Sequence, residues 1–319
     1  MKLGVFDPVF ADLELEETLD RVVRLNLDAV ELAAGGYPGN RRCDPATLLS
    51  VDGAVEAFKG AFEVRGLSIS ALSCHGNPIH PDPGLASRDD QVFRQTVRLA
   101  AAIGVDRINV FSGCPGDQSG GTTPNWVTCR WPAEFGRLLD WQWETIVLPY
   151  WREAGAFAED HGIRLGFEMH PGFSVYSPRT LRRLRDDVGN VVGANLDPSH
   201  LFWQGIDPIL AIRELGAAVF HVHAKDTVID TYNVARHGVL DAGDPDVISE
   251  RSWYFRSVGD GHDLLFWKRF VAALRMAGYD HVVSIEHEDR LASRDEGLAR
   301  AIAVLRQAIL DEPATAAWW

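Results

Sequence analysis

At 319 residues, 46% hydrophobic and 24% charged, the chain has the make-up of a folded globular protein, which excludes disordered and fibrous classes. Its formal charge of −14 at pH 7 argues against nucleic acid as a partner, because that binding rests on clustered Lys and Arg. No apolar run approaches the roughly 18 residues of a membrane span, so no membrane association is expected either.

The amino terminus, MKLGVFDPVF, has neither the apolar stretch nor the small-residue cleavage site of a secretory signal, and reads at once as a strand. A cytoplasmic protein is expected. Cys43, Cys74, Cys114 and Cys129 show no CxxC spacing and suit that compartment as packing residues.

Strand-like runs recur at 2–6, 28–33, 67–75, 107–111, 164–170, 192–197, 219–224 and 281–288. Helical spacing fills the intervals, near 14–25, 46–65, 88–103, 144–161, 178–187, 207–215, 263–277 and 294–310. Ser177-Pro178 and Asp207-Pro208 supply capping chemistry, and Gly66, Gly104, Gly162, Gly216 and Gly278 close helical runs just before strands. The arginine-dense RTLRRLRDD at 179–187 reads as a solvated helix face.

This alternation predicts an α/β fold, a (β/α)8 TIM barrel forming a single domain over 1–319. A doubly wound open sheet would want a Gly-rich phosphate loop after the first strand, where the sequence reads FDPVFADLE. The connections after the fourth and seventh strands, roughly 112–143 and 225–262, are long enough to be lids or binding surfaces.

A barrel places its active site at the carboxyl ends of its strands. There the sequence puts His75 on the third, Glu168 and His170 on the fifth, Asp197 and His200 on the sixth, His223, Lys225 and Asp226 on the seventh, and Glu286 and Glu288 on the eighth. Asp7 and Glu31 come from the first two. Several carboxylates around one axis repel one another and resist desolvation, and one divalent cation relieves both. Two Glu, one Asp and one His suit Mn²⁺ or Mg²⁺, with Co²⁺ or Zn²⁺ as alternatives.

Glu in GFEMHPG, Asp-x-x-His in NLDPSH, His-x-Lys-Asp in HVHAKD and Glu in SIEHED together resemble the xylose isomerase-like TIM-barrel superfamily of sugar isomerases and epimerases. The resemblance implies a metal held by Glu168, Asp197, His223 and Glu286, with Glu168 and Glu286 as an acid–base pair and a sugar or glycoside as small-molecule substrate. It implies that His200 and Lys225 lie close to the substrate, with His75 and Asp226 as further contacts; Arg256, in FRSVGDGH, would join them if the long seventh connection folds inward, and is otherwise an exposed loop arginine. The endonuclease IV-type branch wants a histidine at the end of strand four, where this chain has NVFSG.

Metal-assisted proton removal beside a carbonyl is the shared first step of isomerisation, epimerisation and β-elimination. Residues i and i+2 of a strand share a face, so His170 is expected beside Glu168. That Glu-x-His is similar to the catalytic subunit of C-glycoside deglycosidases, lyases acting on 3-oxo-glycosides with a small β-rich partner subunit. In that branch the resemblance implies His170 as the base. A barrel kept only to bind sugar or to act as a scaffold would have no reason to retain all four ligands. Trp126, Trp131, Trp141, Trp143 and Trp151 suit either ring stacking or the interface of a homo-oligomer or partner complex, and Trp318-Trp319 suit an interface or the barrel base.

Overall fold

The computed structural model describes residues 1–117, 120–240 and 242–312, so Trp318 and Trp319 lie outside the described residues. The strands are β1 (Lys2–Phe6), β2 (Ala29–Gly36), β3 (Ser68–His75), β4 (Arg107–Val110), β5 (Arg164–Glu168), β6 (Val192–Leu196), β7 (Val219–Ala224), β8 (Asp226–Ile229), β9 (Trp253–Arg256) and β10 (Val282–Ile285). Eight of them close a barrel in the order β1-β10-β7-β6-β5-β4-β3-β2, all pairs parallel. The expected (β/α)8 architecture holds.

Helices coat the barrel because their apolar residues repeat at three- and four-residue steps. Leu19 and Val22, Leu181 and Leu184, Phe270 and Leu274, and Leu298 and Leu305 are all buried against the strands. The capping expected at Ser177 and Asp207 forms, with each side chain accepting a backbone N–H of the first turn. No helix among the described residues is long and apolar enough to cross a membrane.

Several expected boundaries move, for local reasons. The single helix expected over 46–65 is two, Pro45–Ser50 and Ala54–Glu63, broken where Gly53 takes φ +78°. The helix expected from 88 begins at Pro83, because Asp82 caps it and proline sits in its first turn. The connection after β4 is partly helical: Ala133–Trp141 runs through a π-helical turn, Gln142–Val147, into Leu148–Asp160. The connection after β7 carries the antiparallel β8–β9 hairpin and the helix Thr231–His237.

The tryptophans of the fourth connection do not act as one surface. Trp151 and Trp143 are core, with the Trp151 indole donating to the Ser112 carbonyl at 2.9 Å and Arg183 over the Trp143 ring. Trp126 packs edge-on against Tyr176, and Trp131 is exposed. Cys43, Cys74 and Cys114 are buried as expected, whereas Cys129 is exposed.

Candidate active site

Beneath the mouth of the barrel lies a polar layer drawn from alternate positions of otherwise apolar strands. Glu31, Ser73, Asn109, Asn195, His221 and His223 are all fully buried there. Glu31 accepts from Ser73 Oγ at 2.6 Å, Asn109 Nδ2 at 2.8 Å, His221 Nε2 at 2.9 Å and His223 Nε2 at 2.8 Å. Burial pushes its carboxyl up, but His223 and His221 overcome that and hold it well below the usual carboxylate range. Gly166 of β5 makes room for this layer, since a Cβ there would stand 2.6 Å from Asn109 Oδ1 and 3.3 Å from the Asn195 backbone nitrogen.

Above the layer, Glu168, Asp197, His223 and Glu286 each bring one ligand atom within 4.8 Å of the others. Glu168 closes β5 and accepts from Asn195 Nδ2 at 3.2 Å. Asp197 lies past β6 as the cap of the helix Pro198–Phe202, where its oxygens accept the Ser199 backbone N–H and hydroxyl, both at 2.8 Å. Glu286 follows β10, its backbone N–H bonded to the Ala224 carbonyl of β7.

His223 reveals what this group can hold. Its Nε2 donates to Glu31, so in the neutral ring the Nδ1 lone pair would face Glu286 Oε2 at 2.9 Å and Glu168 Oε2 at 3.4 Å. Burial disfavours charge on this ring, yet Glu31 and Glu286 hold its pKa well above the usual histidine range. The pocket therefore demands a positive charge at Nδ1, and a cation meets that demand as a proton does. Glu286 Oε2, one of the four, is buried and faces only the charged His223 and Lys225 without an aligned hydrogen bond, as an open donor position requires. The residues present fit a divalent metal.

Three further expected residues surround the group. His75 Nε2 lies 3.3 Å from Glu168, and His200 Nε2 lies 3.3 Å from both Glu168 and Asp197, all three being short contacts without hydrogen-bond alignment. Lys225 Nζ lies 2.9 Å from Glu288, 3.2 Å from Glu286 and 3.6 Å from Asp197. Burial opposes its charge, but Glu286 and Glu288 keep the ammonium well above its usual pKa. Burial raises the Glu286 carboxyl in turn, while Lys225 and His223 outweigh it and bring the group down to about 2.

His170 reaches the site from the loop after β5, two residues beyond the strand's end at Glu168, so the shared-face expectation does not place it. The ring instead is set by its Nδ1–H donating to the Pro171 carbonyl at 2.6 Å and by His200, 4.0 Å away between ring centroids. Burial and neighbouring His200 depress it to about 3, so it is a neutral imidazole with its lone pair on Nε2. Glu168, His170 and His200 also bring ligand atoms within 4.8 Å of one another.

Asp226 and Arg256 are engaged by residues outside the group. Asp226 Oδ2 accepts the backbone N–H groups of Gly259, Gly261 and His262, and Oδ1 faces His262 Nδ1 at 2.7 Å. Arg256 pairs with Asp260 at 2.9 Å and Asp289 at 3.0 Å. Asp7, just past β1, is fully buried, where it pairs with Arg42 and accepts the Ala33 N–H. The open side of the site is a cavity of about 390 Å³ lined by Phe6, Tyr37, His75, Phe111, Glu286 and Glu288.

Residues 19–308 match the family described as xylose isomerase-like TIM barrel. The chain belongs to that family. It is 37% identical over 313 residues to YfiH of Bacillus subtilis strain 168, a match covering 97% of this chain and 99% of that protein. The probable 3-DHS dehydratase AsbF of Bacillus anthracis superposes with a TM-score of 0.65 at 16% identity, covering 96% of this chain and 99% of that one. D-psicose 3-epimerase of Clostridium cellulolyticum H10, solved with D-tagatose, gives 0.63 at 17% identity, covering 97% and 98%. At such identities these structures share the fold.

Ser73, Asn109, Asn195 and His221 lie outside the strand-end positions that single out the other candidates. A signal for them exists: each is a polar residue at the period-2 position of a buried strand, as in RINV and VFHVHA.

Proposed function

We propose that the chain is a divalent-metal-dependent enzyme that enolises a keto-sugar, as a sugar isomerase or epimerase. The convergence of Glu168, Asp197, His223 and Glu286 within 4.8 Å carries this reading. Glu168, Asp197, His223 and Glu286 would hold a Mn²⁺ ion, our choice for this oxygen-rich set, and the bound cation would supply stabilisation of the negative charge that develops when a carbon beside a carbonyl loses its proton.

The chain's own groups supply the rest. Glu168 and Glu286 come from β5 and β10, with β6 and β7 between them, so they approach a sugar from different sides. One takes the proton from the carbon beside the carbonyl. Returning a proton to the other face epimerises that carbon, and passing it to the neighbouring carbon isomerises the sugar. Lys225 keeps Glu286 ionised and ready to accept. His75 and His200, with unbonded Nε2 atoms, are placed to bind sugar hydroxyls. Asp226 and Arg256 shape the loop over the site rather than touch substrate.

A second reading, β-elimination from a 3-oxo-glycoside as in C-glycoside deglycosidases, is favoured by His170. Its neutral ring, with Nδ1 committed to Pro171, offers Nε2 as a base that neither acid–base carboxylate needs. The proton would pass to Nε2 and the C–H electron pair would form the double bond as the aglycone leaves with its own pair.

The test is incubation of Mn²⁺-loaded protein in D₂O with a panel of ketohexoses and a 3-oxo-glycoside, followed by NMR. Deuterium uptake beside the carbonyl without cleavage supports isomerase or epimerase activity, and aglycone release supports the lyase. No exchange into any member of the panel overturns the reading.

A further inference from the structure

A second cavity, of about 510 Å³, opens beside the first and shares His287 and Glu288 with it. Its inner wall is β9 of the hairpin over the barrel. Phe255 there lies under Lys225 Nζ, 4.4 Å from the ring centroid, and edge-on to His200 at 5.5 Å, so this wall begins where the candidate active site ends. Trp253 is locked in place by parallel stacking on Trp203, with 4.5 Å between centroids and 3° between planes. Tyr254 and Ile248 complete an apolar lining of preset shape.

The charged groups around this cavity are engaged by the protein itself. Asp289 accepts from Ser257, Arg256 and Leu291; Arg290 pairs with Asp246; Arg251 donates to the Gly243 carbonyl and lies over the Trp253 ring; and Glu288 holds Lys225. A second sugar ring would need partners for several hydroxyls and finds few. A flat aromatic ring needs apolar surface, which Ile248, Tyr254 and the side of Phe255 away from Lys225 supply.

We propose that this cavity is a second subsite for a flat aromatic aglycone, so that the substrate is an aryl glycoside of the keto-sugar rather than a free monosaccharide. The proposal rests on the enolising function given above for the part of the substrate that reacts, and its volume falls in the range of small-molecule sites. The glycosidic bond would cross the shared rim at Glu288.

Calorimetric titration of the Mn²⁺-loaded full chain with 4-nitrophenyl β-glucoside and with methyl β-glucoside, neither of which carries the keto group, tests the subsite without turnover. The aryl glucoside should bind about tenfold more tightly, a difference of ~1.4 kcal/mol. In Tyr254→Ala and in Ile248→Arg, two changes at the partly exposed rim, that ratio should fall toward one. Equal binding of the two glucosides by the parent protein, alongside exchange into free keto-sugars, overturns the subsite and leaves the function standing. An aryl preference without exchange into any ketohexose or into the 3-oxo-glycoside overturns the function and supports the subsite.

Discussion

Glu31 accepts a hydrogen bond from His223 Nε2–H at 2.8 Å, and in doing so turns Nδ1 of the same ring toward Glu286, 2.9 Å away. A carboxylate behind a ligating imidazole fixes its tautomer and raises its basicity. Glu31→Gln should therefore lower Mn²⁺ affinity by about 10- to 100-fold. The same change removes the partner of buried His221 and should also lower the melting temperature. Equilibrium metal titration and thermal unfolding check both, and unchanged affinity would remove this role from Glu31.

Gly166 is required by space rather than by backbone conformation. The Cβ of Gly166→Ala would meet Asn109 Oδ1 at 2.6 Å, and Asn109 is one of the donors that hold Glu31. Overpacking of this kind costs about 1–3 kcal/mol, so the urea midpoint should fall at unchanged slope. An unchanged midpoint would mean that the polar layer yields without cost.

The sequence makes the barrel legible because its strands are buried on both faces and its helices on one, which leaves two separable periodicities. The ring of candidate ligands is legible for a related reason: polar residues end strands that are otherwise apolar. What fails to show is set by contacts distant in sequence. Nothing near Asp226 signals that Gly259, Gly261 and His262 will consume its carboxylate, and nothing near Arg256 signals Asp289. His170 does stand near Glu168 as expected, but by another route: β5 stops at Glu168, and a turn stabilised by its own Pro171 contact carries the ring to the site beside His200. The β8–β9 hairpin hid in a connection whose strands pair only with each other.

Stability should depend on pH through His281. Burial, followed by the charges of Arg107 and His221, depresses this ring to about 3 from an ordinary value of 6.5. The unfolded chain then binds the proton more readily than the native state, so the contribution is fully present above pH 6.5 and is lost as pH falls from 6.5 toward 3. The melting temperature should drop over that window, and His281→Asn should make the drop shallower. Parallel profiles for the two proteins would assign the acid sensitivity to other groups.

The account stands on one cation held by Glu168, Asp197, His223 and Glu286. The direct measurement is Mn²⁺ bound per chain after equilibrium dialysis, for the parent protein and for Glu168→Gln and His223→Asn. We predict one equivalent for the parent and loss of binding in both variants while their far-ultraviolet circular dichroism stays native. A parent that binds no divalent metal, or folded variants that bind it as tightly as the parent, would contradict the assignment.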